Sequence, residues 1–528
     1  MKKRLLWIPA GILMALAMPG FNLHVFVWVG FALFLRSLDR EAEPLSIPSL
    51  IRNALKGLGF GLIFFGISLY WFLPTFSHYV PEVLRSFPPF MGVIVFVLLI
   101  WVEALFYALF AVFYTLFRNR IAHRPVLFCL FTGLLLMFTE WLRGIGPMGF
   151  PGFRFSDGLV NMGGLTQIAA YAGTEALVIL VGAVNAAVYR IGWMSPSPAT
   201  LKRSWVFAPV LLLSLYAFDS FLQIPLPPVY PENGEVRRVG GMQTMVSSEK
   251  KYSFSETEFI EEFSDSLEQL NASCGNLDFI AYPEAHFMYD ILRRSRTSEA
   301  LKKFSAETGV VFVVPHLAQM SEEEFYNAVR IVTPENGVSE AFYGKRHLNP
   351  FVETLPFERI FGMFGFIKFS NYFTPGPIAQ TFEIRGKRYA FPVCFESYYS
   401  KVFGEFLDQK AEAFFVLTND AWFTSSIALE QHFAQVRFRA LETGKWVGQV
   451  SNNGITGVSD PFGRVVARIP AFERGLGVFL IGFSDHTRSV TFLDYRPLCL
   501  SGYGIALLLL VAIALTGKGK REKPQDPN

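Results

Sequence analysis

A glutamate, a lysine and a cysteine, each beside an apolar run, are the residues of this 528-residue chain best suited to do chemistry together. "FIAYPEA" ends at Glu284, "FYGKRHLNPFVE" carries Lys345 and Glu353, and "YAFPVCFES" carries Cys394 and Glu396. A thiol attacks as its thiolate, and a free cysteine gives up its proton only near a pKa of about 8.5, so a base or a cation must stand close by. Glu284, partly desolvated at the end of its run, can accept that proton and later return one to a leaving group. Lys345, if it stays protonated, can stabilise the thiolate and the oxyanion of a tetrahedral intermediate. Glu353 or Glu396 can keep the lysine charged and oriented. Taken alone, Lys345 reads as a solvated surface charge and Glu396 as a favourable acidic charge at a helix start. A further run of the same design, "FFVLTNDAWF", ends at Asn419 and Asp420, with Trp422 just beyond.

The chain has four cysteines. Cys129 and Cys499 fall in apolar stretches, which leaves Cys274 and Cys394 as a possible disulfide in an oxidising compartment. Against that pairing, Cys274 lies in a Gly/Asn-rich, surface-like stretch, whereas Cys394 ends an apolar one. His286, His316, His347 and His432 show no paired ligand spacing; they read as site-lining or surface residues, and neither a metal nor a cofactor is expected.

The elements that must position these groups lie between about 235 and 487, where charge rises and short β-like runs alternate with helical stretches. Strands are expected at 236–243, 277–284, 310–316, 327–333, 388–395, 413–419, 446–452 and 464–470. Helices are expected at 255–271, 296–308, 397–408 and 428–443. The alternation predicts a layered α/β domain with covered sheets, in which sites collect at strand ends.

Outside this region the chain is of a different kind. Its 52% hydrophobic, 16% aromatic and 17% charged residues exceed the apolar content of soluble proteins. Eight stretches approach the length that crosses a bilayer: 5–20, 22–36, 57–73, 89–117, 125–142, 164–190, 206–223 and 499–516. Lys and Arg cluster at the start, at 36–56, 118–124 and 190–203, and in the tail at 517–528. These are alternate loops, which predicts cytoplasmic termini, an N-terminal membrane domain over 1–225 and the 235–487 domain on the outer side. A signal peptide over 1–20 is the other reading of "MKKR" and its apolar sequel, but "MPG" at 18–20 is not a clear cleavage site. The net charge of +3, with no long basic run away from the ends, excludes a nucleic-acid surface. The phenylalanine-rich segment 356–373 predicts a loop that dips into the membrane interface and gates lipid entry; packing onto its own domain is the plainer alternative.

A Glu, a Lys and a Cys in that order resemble the nitrilase superfamily. "YPEA", "YGKRHLNPFVE", "VCFES", "LTNDAWF", "QHFAQVRFRALETG" and "SNNGITGVSDPFG" are together similar to the apolipoprotein N-acyltransferase family, as are "EWLRGIGPMGFPGF" (140–153) and "FTPGP" (373–377). The resemblance implies a polytopic helical membrane domain carrying an external α-β-β-α sandwich, in a bacterial inner membrane with the catalytic domain on the periplasmic side. It implies that Cys394 takes an acyl chain from a phospholipid as a thioester and passes it to the α-amine of a diacylglyceryl-cysteine in an apolipoprotein. Glu284 would be general base and acid, Lys345 the oxyanion stabiliser, and Glu353 and Glu396 supporting residues. Two positions depart from the family pattern: Phe395 stands where many members have Tyr, and Tyr252 where they have Trp. With Trp422, these are candidate substrate contacts. A membrane-tethered amidase using water as acceptor, and a non-catalytic scaffold, are the competing readings.

Overall fold

The computed structural model describes residues 5–39, 45–83, 88–193, 198–224, 226–230, 234–268, 276–350, 352–355, 357, 372–483 and 491–516. Cys274, the tail 517–528 and nearly all of the phenylalanine-rich segment, at 356 and 358–371, lie outside the described residues.

Helices α1 (Trp7–Leu16), α2 (Gly30–Leu38), α3 (Ile47–Ser68), α4 (Pro89–Ile121), α5 (Pro125–Arg143), α6 (Ala169–Trp193) and α7 (Pro198–Gln223) make the N-terminal part. Of the eight apolar stretches, α3, α4, α5, α6 with the turn before it, and the last helix of the chain are long and apolar enough to cross a membrane. Stretches 5–20 and 22–36 form shorter pieces, since α1 is 10 residues, about 15 Å long, and a 3-10 turn precedes α2. The residues read as a signal peptide are instead part of the folded core, with Ala10, Met14 and Ala15 fully buried.

The third helix begins ten residues before the stretch expected at 57–73, because Ser46 caps it: Ser46 Oγ accepts the Ser49 amide and Ser49 Oγ accepts the Ser46 amide. Arg52 and Lys56, read as loop charges, therefore lie inside α3. The fourth stretch does not split; α4 runs 33 residues. Helix α6 is broken at Gly173, whose φ of 74° is in the left-handed region that glycine adopts without strain.

The buried charges nearest the second domain are paired, as a low-dielectric interior favours. Arg143 of α5 meets Glu103 of α4 at 2.6 Å, and its other nitrogens donate to the carbonyls of Gly152 and Phe153. Glu140 accepts Tyr107 Oη at 3.1 Å and the Phe155 amide at 3.2 Å. Through these bonds two helices hold the loop 144–155, which faces the second domain.

That domain has two sheets. One runs β13 (Gly475–Phe483), β1 (Glu235–Gln243), β2 (Phe279–Ala281), β3 (Val311–Gln319), β4 (Phe325–Thr333) and β5 (Gly337–Val338), with β6 (Tyr343–Gly344) also on β4. The other runs β12 (Val465–Ile469), β11 (Thr456–Ser459), β10 (Trp446–Ser451), β9 (Ala413–Thr418), β8 (Lys387–Ala390) and β7 (Phe382–Ile384). Within them β1, β2 and β3 are parallel, as are β8, β9 and β10. Val239, Phe279, Val313, Tyr389, Phe415 and Val447 fill the space between the sheets. Helices α8 (Ser248–Ser253), α9 (Glu256–Leu267) and α10 (Ser295–Thr308) belong with the first sheet, and α11 (Ser400–Asp408) and α12 (Ser426–Thr443) with the second, before α13 (Arg496–Thr516) returns to the bundle.

Two expected strands are shorter than their apolar runs. The run 277–284 is a strand only through Ala281, and 388–395 only through Ala390, because Pro283 and Pro392 cannot donate to a ladder. Glu284 and Cys394 therefore sit in the turns beyond parallel strands, where side chains converge.

Helix α12 is buried almost all round. Leu429, Phe433, Val436 and Ala440 join the core of the sandwich, while Ala428, Ala434, Phe438 and Leu441 join the core of the helical bundle. The two parts share this helix as a common wall.

Candidate active site

The structure brings Glu284, Lys345 and Glu353 into direct contact. Lys345 Nζ is 3.1 Å from Glu284 Oε1 and 2.9 Å from Glu353 Oε1, and the lysine is fully buried. Asn327 on β4 was not singled out in the sequence, yet its Nδ2 donates to the same oxygens at 2.8 and 3.1 Å. The Asn419 amide, at the end of β9, donates to Glu284 Oε2 at 3.0 Å. The Asn349 amide donates to Glu353 Oε2 at 2.7 Å, so the loop after Lys345 folds back to place its own counter-ion. Burial works against the charge on Lys345, but Glu284, Glu353 and Cys394 outweigh it and raise its pKa above the usual lysine range. Burial raises the Glu353 carboxyl, with Lys345 opposing.

Cys394 is a free thiol, so the disulfide alternative does not hold at this residue. It opens a 3-10 turn and has a φ of 49°, in the left-handed region, which costs a non-glycine residue about 1–2 kcal/mol. Strain of this kind marks a side chain that the fold aims outward from a strand end. Burial raises the thiol pKa well above its ordinary value; Glu284 adds to that, and Lys345 and Thr418 oppose it. The resting sulfur is thus protonated at neutral pH and needs a base beside it.

The ion pairs of Lys345 among the described residues are with Glu284 and Glu353, while Glu396 feels the lysine charge without pairing with it. It is fully buried, accepts Tyr343 Oη at 2.7 Å, and takes the amides of Arg346 at 2.8 Å, His347 at 3.2 Å and Val393 at 2.7 Å. The carboxylate ties the turn of Cys394 to the loop of Lys345 through backbone amides. Burial raises its pKa, opposed by those hydrogen bonds.

The histidines are not surface residues. His286, His316 and His432 are buried, the first among Phe263, Tyr282 and Phe287. His347 is half-buried against the Tyr399 ring, with centroids 4.6 Å apart. His432 was set aside in the sequence, and it touches the nucleophile turn: its Nε2 is 3.1 Å from Ser397 Oγ and 3.4 Å from the Cys394 carbonyl.

Three candidate contacts ring this centre at different depths. Phe395 stacks on Phe150 of the bundle loop, centroids 5.8 Å apart, so the residue lacking a hydroxyl packs at the domain junction. Trp422 is partly buried, and its carbonyl accepts Thr75 Oγ1 at 3.2 Å. Tyr252 is exposed on α8, next to the buried Lys251, whose Nζ donates to the Glu284 carbonyl at 3.3 Å. Burial lowers the Lys251 pKa to about 8, opposed by Glu262 and Glu284. Tyr399 Oη donates to the Gly149 carbonyl at 2.7 Å, so the nucleophile turn rests directly on the helical part.

Residues 258–487, which include Glu284, Lys345 and Cys394, match the carbon-nitrogen hydrolase family model. Residues 10–187 match the model of the apolipoprotein N-acyltransferase N-terminal domain. Apolipoprotein N-acyltransferase of Thermotoga maritima is 32% identical over 89% of this chain and 86% of its own. Those of Pseudomonas syringae pv. tomato and Azotobacter vinelandii are each 27% identical, over 89% and 98% of this chain and 89% and 96% of theirs. The chain belongs to the apolipoprotein N-acyltransferase family.

Proposed function

We propose that this protein transfers an acyl chain from a phospholipid, through a thioester on Cys394, to the N-terminal α-amine of a diacylglyceryl-cysteine in apolipoproteins. The observation that carries the reading is the placement of a complete Glu–Lys–Cys centre against the outer loop of an apolar helical bundle, with Phe395 and Tyr399 touching Phe150 and Gly149. A donor and an acceptor that both live in a bilayer reach such a centre without leaving it.

In the first step Glu284 takes the thiol proton as sulfur adds to the ester carbonyl. Lys345, held charged by Glu353, stabilises the oxyanion. The intermediate collapses to the thioester, and the lysophospholipid oxygen leaves with the proton from Glu284. In the second step the lipoprotein amine adds to the thioester, Glu284 removes its proton, and the thiol departs as the amide forms. A thioester is reactive toward amines, and a buried site limits its loss to water. In this reading Tyr252, Phe395 and Trp422 contact the substrates. The Lys/Arg pattern supports cytoplasmic termini and a catalytic domain on the periplasmic side of a bacterial inner membrane.

Purified protein incubated with phospholipid and a diacylated lipopeptide is expected to give the N-acyl lipopeptide, with an acyl mass on the wild-type enzyme that Cys394→Ala lacks. Release of free acid or ammonia alone, with no N-acyl product, would overturn the acyltransferase reading and leave water as the acceptor.

A further inference from the structure

A closed ring of buried polar groups lies beneath the nucleophile, and the chemistry above uses none of them. Asp420, fully buried at the end of β9, accepts Thr418 Oγ1 at 3.0 Å and Ser451 Oγ at 2.8 Å. His432 Nδ1 is 2.9 Å from Asp420 Oδ1, while its Nε2 faces Ser397 Oγ and the Cys394 carbonyl. The Tyr398 ring lies parallel to the imidazole at 5.8 Å and separates it from Phe150 of the helical part. One residue in a strained backbone conformation is thus held at its carbonyl by His432, which is itself anchored on Asp420.

We propose that Asp420 and His432 form a buried ion pair that positions Cys394, clamping its strained backbone so that the sulfur stays aimed at Glu284 and Lys345. An imidazolium donates from both nitrogens, to Asp420 Oδ1 on one side and to the Cys394 carbonyl on the other, and both of these oxygens can only accept. The groups facing the ring agree. Asp420 touches it, Glu284 lies across the nucleophile, and Tyr398, Ser397 and Cys394 complete the wall, so the surrounding charge is negative. Burial opposes protonation of His432, but Asp420 outweighs it and raises its pKa, while the Asp420 carboxyl is lowered by His432 against its own burial. The pair is a positioning device: it acts on Cys394 and touches no substrate.

The inference rests on the acyl-enzyme reading above, and its test separates the two. Full-length protein with Asp420→Asn, His432→Ala, His432→Gln and the Asp420→Asn/His432→Ala double substitution is mixed with phospholipid at a series of concentrations. The acyl adduct is followed in time by intact mass, and a parallel arm follows alkylation of Cys394 by iodoacetamide. Each single loss is expected to slow acylation by about tenfold to a hundredfold, the range for a misplaced reacting group. The half-saturating phospholipid concentration stays unchanged, the double variant is no slower than the slower single one, and His432→Gln recovers part of the rate through its amide donor. Acylation at the wild-type rate in folded His432→Ala, or multiplicative effects in the double variant, would overturn the proposal. If His432→Ala does not fold, His432→Gln and Asp420→Asn carry the same comparison, and wild-type rates in both overturn it. If the wild type takes up no acyl mass, the acyltransferase mechanism fails and the alkylation arm decides the pair: equal alkylation rates in wild type and variants overturn it, and slower rates in the variants uphold it.

Discussion

Two carboxylates share one ammonium at Lys345, and Asn327 bridges the same two oxygens that the lysine does. Asn327→Leu leaves both carboxylates short of a donor inside the protein, where an unmet hydrogen bond costs about 1–3 kcal/mol. The expected outcome is a lower melting temperature in detergent together with slower acyl-enzyme formation, read by thermal unfolding and intact mass. The His432 pair makes a prediction about pH. A group whose pKa is raised by folding adds stability that is complete below its unfolded value, about 6.5 for histidine, and that is lost as pH rises through the folded value. Melting temperatures measured from pH 6 to pH 9 are therefore expected to fall more steeply in the wild type than in His432→Gln. Other buried groups, Lys251 and Glu262 among them, titrate in both proteins alike and cancel in the difference.

At the scale of elements, close helix contact decides how the bundle is built. Gly57 and Gly61 of α3 face α4 so tightly that a Cβ on Gly57 would stand 2.3 Å from the Tyr107 carbonyl oxygen, and one on Gly61 would stand 2.6 Å from Ala104 Cα. Small residues four apart let two helix backbones approach, which matters most where lipid offers no hydrophobic drive between helices. Gly57→Val is expected to push α4 away and destabilise the protein by about 1–3 kcal/mol, the usual cost of overpacking, with loss of folded protein seen in size-exclusion chromatography and thermal scans. The same scale shows where the sequence was legible. Long apolar periodicity located the helices, and β-branched runs located most strands. The start of α3 was missed because a serine cap, not hydropathy, sets it. The short strands β5, β6, β7 and β11 carry too few residues for a pattern to register.

At the scale of the whole molecule, the two parts behave as one folding unit around α12. Its bundle-facing side includes fully buried Phe438, and beside it Gln431 accepts Trp71 Nε1 at 2.8 Å and donates to the Ser68 carbonyl. Phe438→Ala opens a cavity at that wall, at a cost of about 3–5 kcal/mol. Since both cores end on the helix, the change in intrinsic fluorescence and the loss of acyl-transfer activity are expected to occur together in one transition, at lower temperature than in the wild type. Two separate transitions would show that the parts fold independently.

Composition and spacing determined the class of the chain, the apolar helices and the layered α/β domain, and singled out Glu284, Lys345 and Cys394 as candidates, because each leaves a local mark: a run of apolar residues, a period of two, or a reactive side chain after a strand. Only the tertiary structure decided which carboxylate serves Lys345, that Glu396 instead ties two loops, and that Asn327 and His432 belong to the centre. Lys345 and Glu353 are 8 positions apart, but the other pairings join residues 26 to 53 positions apart. Over such separations nothing in the local sequence specifies a partner, and register and packing choose it.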